Sequence, residues 1–217
     1  MSKFVVIGLG SFGENVAKTL YEKGNDVLAI DVDKDKINNI KEFVSNAIVA
    51  DARNKETLEE LDVADSDGVI VSLGPEMEGS ILIALHLKEL GVKNIIVKAL
   101  SEDHGKILEL IGAHQTIYPE KDEAIRLANI LSSKNILDFL QLSPDVSIEE
   151  IAPPEKFVGK SIKDLDLRNK YKIQIIAIRD TIKDELQFLI EPNFIIKESD
   201  SLVILGTKES FKKLESL

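Results

Sequence analysis

Three glycines, Gly8, Gly10 and Gly13, follow directly on the apolar run Phe4-Val5-Val6-Ile7, and this spacing constrains the fold more than any other feature of the chain. A β-branched run that breaks into Gly-x-Gly-x-x-Gly and resumes at helical spacing reads as strand, tight turn and helix. Gly8 allows the turn, Gly10 lets a backbone come close to a pyrophosphate, and Gly13 lets the helix pack against the sheet. The free N–H groups of the helix start then face phosphates. The next apolar run ends in Asp31, about 20 positions on, where a carboxylate accepts hydrogen bonds from both hydroxyls of an adenosine ribose and would repel a 2′-phosphate. Strand, helix and acid together point to the first half of a nucleotide-binding βαβ unit, and a bare glycine-rich turn without a ligand is the alternative.

The alternation continues along the chain. Residues 47–51 form a third short strand ending in Asp51, 57–61 a short helix, and 68–73 a near-continuous apolar strand of the kind buried on both faces of a parallel sheet. Residues 77–90 form a helix closed by Gly91, 94–98 a fifth strand, 103–111 a helix closed by Gly112, and 115–118 a sixth strand. Such a pattern predicts an α/β fold, a Rossmann-like doubly wound parallel sheet of order 3-2-1-4-5-6, over residues 1–118.

Pro119 opens a segment of another kind, 119–143. Ala124, Ile125, Leu127, Ala128, Ile130 and Leu131 put an apolar stripe on a helix that follows an already complete sheet, and Ile136, Leu137, Phe139 and Leu140 extend it. The stripe either packs on its own sheet or, as the favoured reading, crosses over onto a second subunit. Ser143-Pro144 marks the next boundary, and 144–217 reads as a small α+β module. Its strand candidates are 146–151, 173–178, 186–190 and 202–205, and short helices fit 162–168 and 209–214.

Composition narrows the function. A net charge of −11 argues against bulk electrostatic binding of nucleic acid or an anionic membrane. The chain has no cysteine, which removes disulfides, thiolate metal sites and thiol catalysis. No apolar run approaches bilayer-spanning length; the longest, 81–87, contains His86. The expectation is a cytoplasmic, soluble chain, held at a membrane only through another protein.

The sequence resembles the cytosolic regulatory subunits of Ktr/Trk-type potassium uptake systems, built on the domain called regulator of K⁺ conductance. The residues that carry the resemblance are Val-Ile-Gly-Leu-Gly-Ser-Phe-Gly at 6–13, Ala-Asp-Ala at 50–52, Leu-Lys-Glu-Leu-Gly at 87–91, Ile-Gly-Ala at 111–113, Tyr-Pro-Glu-Lys-Asp at 118–122 and Asp-Leu-Asp-Leu-Arg-Asn-Lys-Tyr at 164–171. The last two blocks favour the Ktr branch. The resemblance implies a homodimer swapped through the crossover helix and assembled into an octameric ring, which docks on a membrane-embedded potassium-translocating subunit. It implies ATP or ADP, or NAD(H), at the glycine loop. Gly8, Gly10, Ser11, Phe12 and Gly13 would line the phosphates, Asp31 the ribose, and Asp51 with Ala52 the adenine end, with Lys98 facing the phosphates. Glu120 would meet its mate from a neighbouring subunit and share a divalent cation, Mg²⁺ or Ca²⁺. The C-terminal module would take cyclic di-AMP through Ile162, Arg168, Gln174, Ile175 and Pro192, although each of these also suits a purely structural role and Arg168 could simply bridge an acid. Ser11 departs from the arginine frequent in the family, which weakens the expected discrimination of ATP from ADP.

An enzyme would need a catalytic kit that the sequence does not supply. Gly159-Lys160-Ser161 lacks the upstream glycine of a phosphate-binding P-loop, because that position is Pro154. His86 reads as a packed core residue, His104 as exposed near a helix start, and His114 is open to either reading. Glu59-Glu60 and Glu149-Glu150 read as solvated faces. A small NAD-dependent Rossmann oxidoreductase remains the alternative to a regulatory binding protein.

Overall fold

A computed structural model describes residues 1–132 and 136–215. Residues 133–135 and 216–217, within the expected 119–143 and 144–217 segments, lie outside the described residues. The chain divides into two compact units, Met1–Glu120 and Lys121–Leu217.

The first unit is built on β1 (Lys3–Ile7), β2 (Asp26–Asp31), β3 (Asn46–Val49), β4 (Gly68–Val71), β5 (Ile95–Lys98) and β6 (Gln115–Ile117). They form one sheet of order β3-β2-β1-β4-β5-β6, and every pairing is parallel, as the alternation in the sequence predicts. The connections carry α1 (Ser11–Glu22), α2 (Lys34–Ile40), α3 (Lys55–Glu60), α4 (Met77–Glu89) and α5 (Glu102–Ile111). Successive residues of a strand point to opposite faces, so β1 divides its burial between two cores. Val5 and Ile7 pack with Ile30, Val69, Ile83 and Leu108 on one face, while Val6 packs with Ala17, Ala29, Ile40 and Ile70 on the other. Each fully buried Val, Ile or Leu side chain contributes about 1.5–3 kcal/mol relative to exposure, which is what fixes the register of a sheet buried on both sides. Gly112 ends α5 in the left-handed conformation expected of a terminating glycine.

α6 (Pro119–Ser132) begins at the expected proline, and none of its residues is buried. The expected helical segment 119–143 is corrected at its distal part. Ile136, Leu137, Phe139 and Leu140 lie in a strand, β7 (Ile136–Ser143), joined by a tight turn to β8 (Val146–Ile151). Apolar count alone could not separate these readings, because a partner strand decides between them.

The second unit adds β9 (Gln174–Asp180), β10 (Glu185–Gln187) and β11 (Asp200–Thr207) to form an antiparallel sheet of order β10-β9-β11-β8-β7. α7 (Ile162–Leu165), α8 (Leu167–Lys170) and α9 (Lys208–Glu215) accompany it. Phe157, Ile173, Ile178, Ile196, Leu202 and Ile204 form its core. The single helix expected over 162–168 is two short helices, broken at Asp166, whose φ is 48°. An aspartate is among the few side chains that adopt this left-handed geometry at modest cost. The strand expected at 186–190 is shorter and shifted to Glu185–Gln187.

Candidate functional site

The C-terminal ends of β1, β2, β3 and β4 meet at a cavity of about 300 Å³ lined by residues that include Gly8, Gly10, Asp31, Asp51, Ala52 and Ser72. Ligands of open parallel sheets sit at this carboxyl edge, where the strand order reverses beside β1. Gly8 has φ of +91° and lies so close to Ser72 that an added Cβ would run into its carbonyl oxygen; at Gly13 a Cβ would run into the carbonyl of Gly8 itself. Around Gly10, by contrast, a Cβ would meet only open space. Two of the glycines are therefore required by packing, while the third leaves the backbone accessible. No side chain caps α1, so its first-turn N–H groups keep their capacity to hold an anion.

Asp31 is buried and holds the loop together. Its Oδ2 accepts a hydrogen bond from the Leu9 N–H at 2.6 Å and from the Lys36 ammonium at 3.2 Å, and its Oδ1 accepts the Asp33 N–H at 2.8 Å. A carboxylate offers roughly four acceptor positions, so the protein itself already uses most of them. Capture of both ribose hydroxyls therefore requires Lys36, whose side chain is 43% exposed, to swing aside. The sequence assigns Asp31 to a ligand alone; the structure adds the second duty of anchoring the glycine loop.

Asp51 lies just beyond β3 with Ala52, both on the cavity wall. Its carboxylate is gripped by Arg53, with Nη2 to Oδ2 at 2.7 Å and Nε to Oδ1 at 2.9 Å. This hydrogen-bonded guanidinium holds the Asp51 carboxyl below its usual range. Arg53 also approaches Glu76, on the loop after β4, at 3.4 Å. Lys36, Arg53, Leu73 and Glu76 line the cavity and were not singled out from the sequence. The one available signal was an arginine two positions after the strand-end acid.

The other expected phosphate residues divide. Ser11, Phe12 and Gly13 form the first turn of α1 without lining the cavity, and Lys98 is also absent from its wall. Lys98 instead pairs with Glu120, an interaction that holds the Glu120 carboxyl below its ordinary value. Among the described residues no group of three or more His, Cys, Asp or Glu is placed to hold a metal ion. A cation at Glu120 would have to displace Lys98 and draw its remaining ligands from elsewhere.

The histidines and the paired acids test the sequence reading further. His104, expected to be exposed, is buried. Its Nδ1 accepts the Leu100 N–H at 3.1 Å and its Nε2 lies 3.0 Å from Ser80 Oγ. Since Nδ1 accepts, the proton of the neutral ring sits on Nε2 and is donated to Ser80, whose hydroxyl passes a hydrogen bond to the Met77 carbonyl. Burial pushes the His104 pKa down. His86, expected in the core, is only partly buried, and its Nδ1 lacks a hydrogen-bond partner among the described residues. His114 accepts the Ile95 N–H through Nδ1. Glu59 and Glu60 are exposed as expected, but Glu149 and Glu150 do not form a solvated face. Glu149 is buried on the interior strand β8 beside Ser147, and Glu150 is paired with Arg179 and Ser201.

The five residues expected at a second ligand are brought together by the fold. Ile162, Arg168, Gln174, Ile175 and Pro192 all line one cavity of about 440 Å³ in the second unit. Arg168 is exposed there, and no ion pair or hydrogen bond holds its guanidinium among the described residues. The reading of Arg168 as a bridge to a neighbouring acid is thereby corrected.

Comparisons with known proteins agree with this geometry. The TrkA-N domain matches residues 4–119 and the TrkA-C domain residues 146–217. The chain is 39% identical over 215 residues to the Ktr system potassium uptake protein C of Bacillus subtilis (strain 168), covering 98% of this chain and 96% of that protein. It is likewise 39% identical over 214 residues to the Ktr system potassium uptake protein A of the same organism, covering 99% and 96%. Among solved structures the GsuK RCK domain superposes with a TM-score of 0.70 at 21% identity, over all of this chain and 47% of that one, a likeness of fold. The chain thus belongs to the family of TrkA-N and TrkA-C domain proteins that includes the Ktr-system potassium uptake proteins.

Proposed function

We propose that this chain is a nucleotide-binding regulatory subunit of a potassium uptake system, without catalytic activity of its own, working on the cytoplasmic side of a membrane-embedded potassium-translocating subunit. One observation carries the reading. The cavity at the carboxyl edge of the sheet gathers Gly8, Gly10, Asp31, Asp51 and Ala52 in a chain 39% identical to Ktr potassium uptake proteins over nearly its whole length.

The ligand is ATP or ADP, or NAD(H). Phosphates lie on the glycine loop and the uncapped start of α1, including Ser11, Phe12 and Gly13. The ribose meets Asp31 as Lys36 moves aside, and the base extends toward Asp51. Lys98 and Glu120 are proposed as a switchable pair: Lys98 turns to the phosphates, and the released Glu120 contributes to a Mg²⁺ or Ca²⁺ ion shared with a second copy. The exposed α6, with Ile125, Leu127 and Leu131 open to solvent, supports assembly of this chain with itself, as a dimer and then an octameric ring. Among the described residues no helix is long and apolar enough to cross a membrane, so the link to the bilayer runs through the partner. The second cavity, with its uncommitted Arg168, takes cyclic di-AMP.

The chain acts by differential affinity: a nucleotide that binds one arrangement of subunits better shifts the population toward it, and the docked partner responds. Calorimetric titration of the purified chain with ATP, ADP, NAD and NADH tests the reading. Saturable binding of at least one, weakened by Asp31→Asn, is the expected result; binding of none contradicts it. Cyclic di-AMP titrated into Arg168→Ala separates the two cavities, because this change is expected to weaken that ligand and leave the first nucleotide untouched.

A further inference from the structure

We propose that Arg53 sets the base specificity of the nucleotide cavity, by saturating the Asp51 carboxylate so that the pocket accepts adenine and rejects guanine. The inference rests on the nucleotide reading above. The strand order β3-β2-β1 lays out the ligand. With phosphates over the glycine loop after β1 and the ribose at Asp31 after β2, the base extends outward to the exit of β3, where Asp51 stands.

An unpaired carboxylate at that place would read guanine. Its two oxygens match the adjacent N1–H and N2–H donors on the guanine edge, whereas adenine offers one donor and one acceptor there. Asp51 is not unpaired. Oδ1 accepts from the Arg53 backbone N–H at 3.0 Å and from Nε at 2.9 Å, and Oδ2 accepts from Nη2 at 2.7 Å and from Nε at 3.2 Å. Guanine would leave its donors facing a saturated acid, and a donor desolvated without a partner is costly. The guanidinium has N–H donors left over after Asp51 and Glu76 are served, and on the edge turned toward Asp51 these meet an acceptor in adenine, N1, where guanine presents its N1–H donor. The contact from Nη1 to Glu76 at 3.4 Å ties the loop after β3 to the loop after β4, which fixes the fork at the outer wall of the cavity. A lysine could not replace it, because a point charge does not occupy two oxygens in one plane.

The test is parallel calorimetry of ADP and GDP with the full chain as wild type, Arg53→Ala, Arg53→Lys and the double variant Arg53→Ala with Asp51→Asn, each first shown by circular dichroism to be folded. The wild type is expected to prefer ADP, and Arg53→Ala to shift the ADP-to-GDP affinity ratio toward GDP by about tenfold or more, as loss of a specific polar match does. Arg53→Lys should fall between the two. Asp51→Asn in the Ala background should remove the gain for GDP, since an amide no longer presents two acceptors. If Arg53→Ala and Arg53→Lys leave the ratio unchanged, or weaken both nucleotides equally, the assignment of Arg53 is overturned while the nucleotide cavity stands. If the wild type binds neither nucleotide, the assignment of Arg53 is overturned, and the nucleotide cavity falls with it when ATP, NAD and NADH also fail to bind.

Discussion

A single Cβ decides whether the glycine loop can form. At Gly13 the side chain of alanine would meet the carbonyl of Gly8, part of the very turn it supports. Backbone displaced in this way costs on the order of 1–3 kcal/mol, so Gly13→Ala is expected to lower the melting temperature and abolish nucleotide binding together. Asp31 grades these effects. Asp31→Asn keeps an oxygen for the Leu9 N–H but turns its amide NH₂ toward the Asp33 N–H, so a modest loss of stability should accompany the loss of about 1.5–3 kcal/mol of charge-assisted hydrogen bonding to the ligand. Asp31→Ala, which keeps neither acceptor, should destabilise the loop further, a difference that thermal melts beside calorimetry would show.

His104 makes a prediction about pH. Its pKa in the folded chain is lowered from 6.5 by burial, so the unfolded chain binds the proton first as the pH falls. Stability is therefore full above about 6.5 and declines below it, until the folded ring also protonates. Protonation would also turn the Nδ1 acceptor of the Leu100 N–H into a donor. His104→Gln, which stays neutral, should flatten the pH dependence of the melting temperature between pH 7 and 5 at some general loss of stability. The sequence did not show this residue's burial, because its partner Ser80 comes from α4, a tertiary neighbour that local pattern does not specify.

At the scale of elements, legibility followed the source of the structure. β1, β2 and β4 were readable because they are buried on both faces, so their apolar runs are continuous and their glycines and strand-end acid sit at fixed offsets. β7 was not, because Ile136–Ser143 is shaped by its antiparallel pairing with β8 rather than by any periodicity of its own. The burial of Glu149 on β8 has the same origin, since β8 is paired on both sides, by β11 and β7. Of the candidate site, Gly8, Gly10, Asp31 and Asp51 could be read from the chain, whereas Lys36, Arg53 and Glu76 required the loops to be brought together. Leu127 and Leu131 are exposed on α6, four residues apart and so on one face. If that face is the interface between copies, Leu127→Glu with Leu131→Glu should leave the melting of the isolated chain unchanged and reduce the assembled mass measured by light scattering. An unchanged mass would assign the stripe another role.

For the whole molecule, the chain carries a net charge of −11 and yet is assigned an anionic ligand, so attraction must be local, from the α1 start and the backbone of the glycine loop rather than from the overall field. The energies needed for regulation are modest. A hundredfold difference in affinity between two arrangements supplies roughly 2.7 kcal/mol per site, and an assembly with several sites multiplies it. What matters is that grip and quaternary arrangement be linked. The most direct measurement is the mass and hydrodynamic radius of the purified chain, by light scattering and analytical ultracentrifugation, in ATP, in ADP, in NADH and without nucleotide. An oligomer whose size or shape depends on which nucleotide is bound, with the dependence lost in Asp31→Asn, is the predicted result. A monomer in all four conditions, or an assembly indifferent to every nucleotide that binds it, would contradict the account.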